Sequence, residues 1–70
     1  MTQERLRILK YIYDLASAND DIQYSVDESE LNTTQFDLKY LHNKGFVVRS
    51  GDGWMITAEG IDVVENGRVF

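Results

Sequence analysis

Three glycines between positions 45 and 53 limit this chain more than any other feature. Gly45 closes a stretch with helical spacing, and Gly51 and Gly53 bracket Asp52 between two short apolar runs. A glycine just past a helix takes the left-handed conformation that ends it. A Gly-Asp-Gly step between β-prone runs predicts a tight hairpin turn. Phe46, Val47, Val48 and Arg49 therefore read as one strand and Trp54, Met55 and Ile56 as its return, with Gly51-Asp52-Gly53 between them. A helix leading directly into a hairpin, within 70 residues, leaves room for one small mixed α+β core and no second domain.

The other elements follow from their periods. From about Gln3 to Ala18, Leu6, Ile8, Leu9, Ile12, Tyr13, Leu15 and Ala16 fall on one broad arc of a helix, and Gln3, Arg7, Lys10, Asp14 and Ser17 fall outside it. Arg5 is the one charge within the arc, where its stem can pack while the guanidinium reaches water. Asn19-Asp20-Asp21 ends the helix through side-chain bonds that compete with helical ones. Ile22, Tyr24 and Val26 alternate with Gln23 and Ser25, which predicts a short half-buried strand. Asp27 and Glu30 have capping-box spacing, so a short helix to about Asn32 is expected, anchored by Leu31. Asn32-Thr33-Thr34 starts a further helix that runs to about Lys44. Thr57 can cap a last helix in which Ile61 and Val64 face inward, with Asn66-Gly67 as the stop.

Composition narrows the class. Hydrophobic residues make up 43% and charged residues 27%, as in an ordinary globular chain. There is no cysteine and no proline, so no disulfide framework and no cysteine zinc site is available. The apolar runs are too short for a membrane segment, and Glu4, Arg5 and Arg7 stand where a signal peptide would be apolar. A cytoplasmic location is expected. The net charge of −5 works against nonspecific attraction to nucleic acid, which draws on lysine and arginine. The charge is uneven, however. Residues 19–32 carry Asp20, Asp21, Asp27, Glu28 and Glu30 with no cation, whereas residues 33–50 set Lys39, Lys44 and Arg49 against Asp37 alone.

The order helix, strand, helix, helix, strand, turn, strand, helix resembles the winged-helix superfamily. Two stretches carry the likeness. Leu38-Lys39-Tyr40-Leu41-His42-Asn43-Lys44-Gly45-Phe46-Val47 is similar to the end of a recognition helix entering the first wing strand. Ile56-Thr57-Ala58-Glu59-Gly60-Ile61-Asp62-Val63-Val64-Glu65 is similar to a wing running into a closing helix. The resemblance spans nearly the whole chain and is closest to small winged-helix proteins of bacteria, archaea and their viruses. It implies a three-helix helix-turn-helix core with a β-hairpin wing and a C-terminal helix over residues 1–70. It implies transcriptional regulation most often, although the superfamily also includes modules that bind only proteins.

A recognition helix over residues 34–44 would pack Thr34, Leu38 and Leu41 inward, since they lie within about 60° of one another on the helix. The opposite face then shows Lys39, Asn43, Phe36, Tyr40 and Lys44, with Gln35 at its edge. Gln35, Lys39 and Asn43 are side-chain types that read base edges or hold phosphates in a major groove, and Lys44 and Arg49 would position the backbone. The competing reading is a solvated face. So few cations predict weak binding of double-stranded DNA by a single domain, strengthened by a homodimer or a further partner. Phe36 and Tyr40, one turn apart, form the alternative: an anchor for a protein partner or a second subunit. Tyr40, at the edge of the face, is expected to be covered by neighbouring elements.

The remaining candidates read as structural. The wing tip has Asp52 and no cation, so it offers at most a weak phosphate contact through Arg49. Trp54 beside a turn is expected to pack across strands. The acidic stretch lacks the alternating ligands, central glycine and terminal glutamate of a calcium loop, and capping explains it better. His42, the single histidine, sits where a helix dipole favours its cation. There is no cysteine nucleophile, no nucleotide-binding glycine loop and no paired histidine with acidic partners at ligand spacing. Neither enzymatic activity nor a metal or other cofactor is expected.

Overall fold

The computed structural model describes residues 2–66. Within them lie four helices and a three-stranded antiparallel sheet: α1 (Gln3–Ala18), β1 (Val26–Asp27), α2 (Glu28–Leu31), α3 (Gln35–Asn43), β2 (Val47–Ser50), β3 (Gly53–Ile56) and α4 (Ala58–Asn66). No helix among the described residues is long and apolar enough to cross a membrane.

α1 begins at Thr2, whose hydroxyl accepts the Arg5 backbone N–H at 3.2 Å, with Glu4 set favourably against the helix dipole. It ends more tightly than the sequence predicts. Asp20 adopts φ 51°, and the Asp21 N–H reaches back to the Ala16 carbonyl at 3.0 Å while that of Asp20 meets the Ser17 carbonyl. This is a Schellman closure with aspartate in the glycine position. The Asn19 side chain adds a bond to the Leu15 carbonyl.

The strand expected from Ile22 to Val26 is reduced to Val26–Asp27. Asp21 accounts for the difference. Its carboxylate accepts the Gln23 N–H and its carbonyl the Tyr24 N–H, which bends residues 21–24 into a turn and leaves Ile22 51% exposed. Val26 and Asp27 then pair with Trp54 and Gly53, so the sheet order is β1-β3-β2. β2 starts one residue later than expected, at Val47, and Gly53 belongs to β3 rather than to the turn. Only Gly51 and Asp52 connect the paired Ser50 and Gly53, with Gly51 at φ 58°. A positive φ at the first of two turn residues matches the twist of the strands.

Asp27 caps α2 by accepting the Ser29 N–H, but Glu30 does not complete the expected box and lies 3.5 Å from the Tyr11 hydroxyl. Asn32 at φ 49° turns the chain out of α2. Thr34 is a second correction. It is exposed, and instead of packing inward it caps α3 by accepting the Asp37 N–H at 3.3 Å. α3 closes at Gly45 (φ 79°), where the Phe46 N–H bonds to the Leu41 carbonyl. In α4, Gly60 and Val63 are buried, whereas the expected Ile61 and Val64 are only half-buried. Gly67, the expected stop, lies outside the described residues.

One core joins these elements. Ile8, Leu9, Ile12 and Ala16 of α1 meet Leu31 of α2, Leu38 and Leu41 of α3, Val63 of α4, and Val26, Val47, Trp54 and Ile56 of the sheet. Among the described residues no charged or polar residue is fully buried, so apolar area removed from water drives the assembly.

Candidate nucleic-acid interface

The position of α3 follows from its buried pair. Leu38 and Leu41 are fully buried, which fixes the rotation of the helix and turns Phe36 and Asn43 directly outward. Lys39 and Gln35 flank this midline on one side, and Tyr40 and Lys44 on the other. Gln35, Lys39, Asn43 and Lys44 are all exposed, as is Arg49 on β2. Phe36 is 73% exposed.

On the α1 side of the helix, Arg5 stands between the two aromatics. Its guanidinium lies 4.0 Å from the Tyr40 ring centroid and 5.5 Å from that of Phe36, and its Nε donates to Asp37 Oδ1 at 2.9 Å. The single charge in the apolar arc of α1 thus has an acidic partner and a ring to rest on. Tyr40 is half-buried beneath it, and Lys44 reaches the same ring from 5.9 Å.

On the hairpin side, one carboxylate organises the surface. Glu28, the first residue of α2, accepts the Trp54 indole N–H at 3.0 Å and an Arg49 guanidinium N–H at 2.5 Å on Oε1, and the Gln35 amide at 2.5 Å on Oε2. Its own backbone N–H donates to the Asp52 carbonyl in the turn. The Trp54 hydrogen bond is the largest influence holding the Glu28 carboxyl below the usual range; burial opposes it, and the Arg49 and Gln35 bonds add to it. Arg49 also donates through Nε to the Gly51 carbonyl and stacks 5.0 Å from the Trp54 ring. Trp54 is 5% exposed and sits cross-strand from Val26 and Arg49, in the packing role expected of it. His42 is exposed and meets the Trp54 ring edge-on, 6.0 Å between centroids.

These contacts separate the sequence-predicted residues into two groups. Lys39 and Lys44 have no ion-pair partner among the described residues, whereas Arg5, Arg7, Lys10 and Arg49 are paired with Asp37, Glu4, Asp14 and Glu28. Gln35 and Arg49 are brought together, but through an acid. Sequence reasoning missed Glu28 because its partners lie on three other elements. The available signal was an arginine and a tryptophan on adjacent strands, and it needed the pairing of β1 with β3 to be useful.

A shallow cleft of about 230 Å³ lies between the end of α1 and α4, lined by Tyr13, Ala16, Ser17, Ile22, Ile61 and the acids Asp20, Asp21 and Glu65. The Tyr13 hydroxyl donates to Glu65 at 2.8 Å. Its acidic rim repels phosphate. Among the described residues no group of three or more histidine or acidic side chains is placed to hold a metal ion.

Comparison with family models, with curated proteins and with solved structures finds no match for this chain.

Proposed function

We propose that the chain is a winged-helix DNA-binding module, a small transcription regulator that places α3 in the major groove. The observation that carries this reading is the free outward face of α3: Lys39, Asn43 and Lys44 are exposed on a helix seated by Leu38 and Leu41, beside a two-stranded hairpin. Gln35, Lys39 and Asn43 contact bases or nearby phosphates, with Lys39 on a phosphate, and Lys44 and Arg49 position the backbone. The exposed Phe36 fits the same docking, since an aromatic edge packs well on a thymine methyl. The order of elements and the sheet order β1-β3-β2 support the wing assignment. A cytoplasmic location goes with this function.

Binding of this kind is weak and sensitive to salt. With Lys39 and Lys44 on phosphates and Arg49 held by Glu28, the slope of log K against log salt is about −1.8, an affinity loss of about 12-fold between 50 and 200 mM. Titration of labelled duplex DNA at low and moderate salt measures this. Alanine at Lys39 and at Asn43 should each weaken binding, and only Lys39→Ala should flatten the slope. No binding at low salt, or binding indifferent to both changes, would refute the proposal.

A second reading rests on Phe36, whose 73% exposure suits an anchor in a protein interface, with Tyr40 and Arg5 as its shoulder. Phe36→Ala should then abolish capture of a protein partner or dimerisation while leaving the melting temperature unchanged. Equal capture and equal oligomeric state for both proteins would remove it.

A further inference from the structure

We infer that the Glu28 carboxylate occupies a phosphate site formed by Arg49 and Gln35, and so acts as a built-in competitor that sets the affinity of the α3 face for the nucleic-acid backbone. This rests on the DNA-binding reading of the same face. Three observations carry it. First, Arg49 Nη1 and Gln35 Nε2, donors from two different elements, converge on one anionic group at 2.5 Å each, the geometry in which a phosphate with two acceptor oxygens is held. Second, that anion belongs to the protein, so Arg49 adds no net positive charge to the face while Glu28 is ionised. Third, the site lies at the surface: the Arg49 and Glu28 side chains are 48% and 30% exposed, and Gln35 sits at the N-terminal edge of α3. A backbone phosphate reaching Arg49 must therefore displace Glu28 or approach beside it, and either costs affinity.

Glu28 also positions the ring beneath. Its Oε1 is the acceptor for the Trp54 indole N–H, so movement of the carboxylate changes the surroundings of the only tryptophan in the chain. Emission from Trp54 therefore reports on the carboxylate directly.

Glu28→Gln tests the inference, because glutamine keeps an oxygen for Trp54 and removes the charge. Wild type, Glu28→Gln, Arg49→Gln and the double variant are titrated with a mixed-sequence duplex at several salt concentrations, following both duplex anisotropy and Trp54 emission. Melting temperatures establish that each variant is folded. Glu28→Gln should bind about fivefold more tightly at low salt, the weight of one unit charge about 4 Å from a phosphate in water. Its salt slope should steepen by about 0.9 as Arg49 becomes a free cation. Duplex should change Trp54 emission in the wild type, and the gain in affinity should vanish in the Arg49→Gln background. Binding unchanged by Glu28→Gln, or a gain that persists without Arg49, overturns the competitor role while leaving DNA binding intact. Binding by Glu28→Gln alone supports the competitor role and withdraws DNA binding from the wild type. Absence of binding by both refutes the two together.

Discussion

Gly60→Ala should destabilise the fold, although alanine is the better helix former. A Cβ at Gly60 would lie 2.8 Å from Ile56 Cγ1 and closer still to the Phe46 carbonyl oxygen. Carbon atoms prefer about 3.5–4.0 Å, so α4 must move by about 1 Å or the Phe46 backbone just before β2 must yield. That carbonyl is already engaged, since it accepts the Thr57 N–H at 3.0 Å. The Thr57 hydroxyl in turn accepts the Gly60 N–H and donates to the Gly45 carbonyl. One displacement therefore strains the exit of α3, the end of β3 and the start of α4 together. Overpacking costs about 1–3 kcal/mol, and a weakened hydrogen bond adds about 1 kcal/mol. The helix preference of alanine returns at most about 1 kcal/mol, and less in a first turn. The net loss is about 1–3 kcal/mol. With a urea slope of about 1 kcal/mol per molar for so small a domain, the midpoint should fall by about 1–3 M. Equilibrium unfolding followed by Trp54 emission reads this, with the neighbouring exposed Glu59→Ala as a control that should stay within about 0.5 kcal/mol. A midpoint for Gly60→Ala at or above that of the wild type would refute the close approach of α4 to Phe46.

Two further outcomes are expected. The Thr33 hydroxyl is buried and has no hydrogen-bond partner among the described residues, so Thr33→Val, which keeps the shape and removes the polar atom, should raise stability by about 1 kcal/mol in thermal melts; a loss of that size would show that the hydroxyl is satisfied. Glu28 has a folded pKa below its unfolded value, chiefly through the Trp54 bond, so its contribution is complete above the usual glutamate range and is lost as pH falls through the lowered folded value. Melting temperatures measured from neutral pH into that acid range should fall less steeply for Glu28→Gln than for the wild type, and parallel profiles would remove Glu28 from the acid response.

How much of this was legible in the sequence depended on whether a residue's partners were close by. Caps, stops and periods are local, and Gln3–Ala18, the α3 stop at Gly45 and the Thr57 cap all appear where the residues place them. The strand at Ile22–Val26 failed because a single side chain, Asp21, offered Gln23 a bond that an alternating pattern does not register. Thr34 failed because helical projection treated a cap as an ordinary position, and a cap's side chain turns toward backbone N–H groups. The electrostatics of the candidate face were the least legible part. Lys39, Lys44 and Arg49 look alike as a segment charge, but Arg49 is neutralised from 21 residues away by Glu28, and Arg5 from 32 residues away by Asp37. Only tertiary pairing separates a cation free to meet phosphate from one already engaged.

If the chain binds DNA as proposed, the same carboxylate ties stability to binding. A tryptophan 95% removed from water needs an acceptor for its indole N–H, and Glu28 provides it at 3.0 Å. Packing therefore requires an oxygen at position 28 but not a charge, whereas phosphate binding is favoured by the absence of that charge. Glutamine would satisfy both demands and glutamate satisfies one, so under the DNA-binding proposal each domain would have a low intrinsic affinity. Low affinity per domain makes occupancy depend on linkage. In a dimer the second domain binds at an effective concentration set by the first, and the salt slope doubles, to about −3.6. Under that proposal, a face with two lysines unpaired among the described residues, a glutamate-held arginine and an exposed phenylalanine at its centre would bind DNA better in pairs than alone. A slope near −3.6 on a palindromic duplex, against about −1.8 on a half-site, would be the signature of that arrangement.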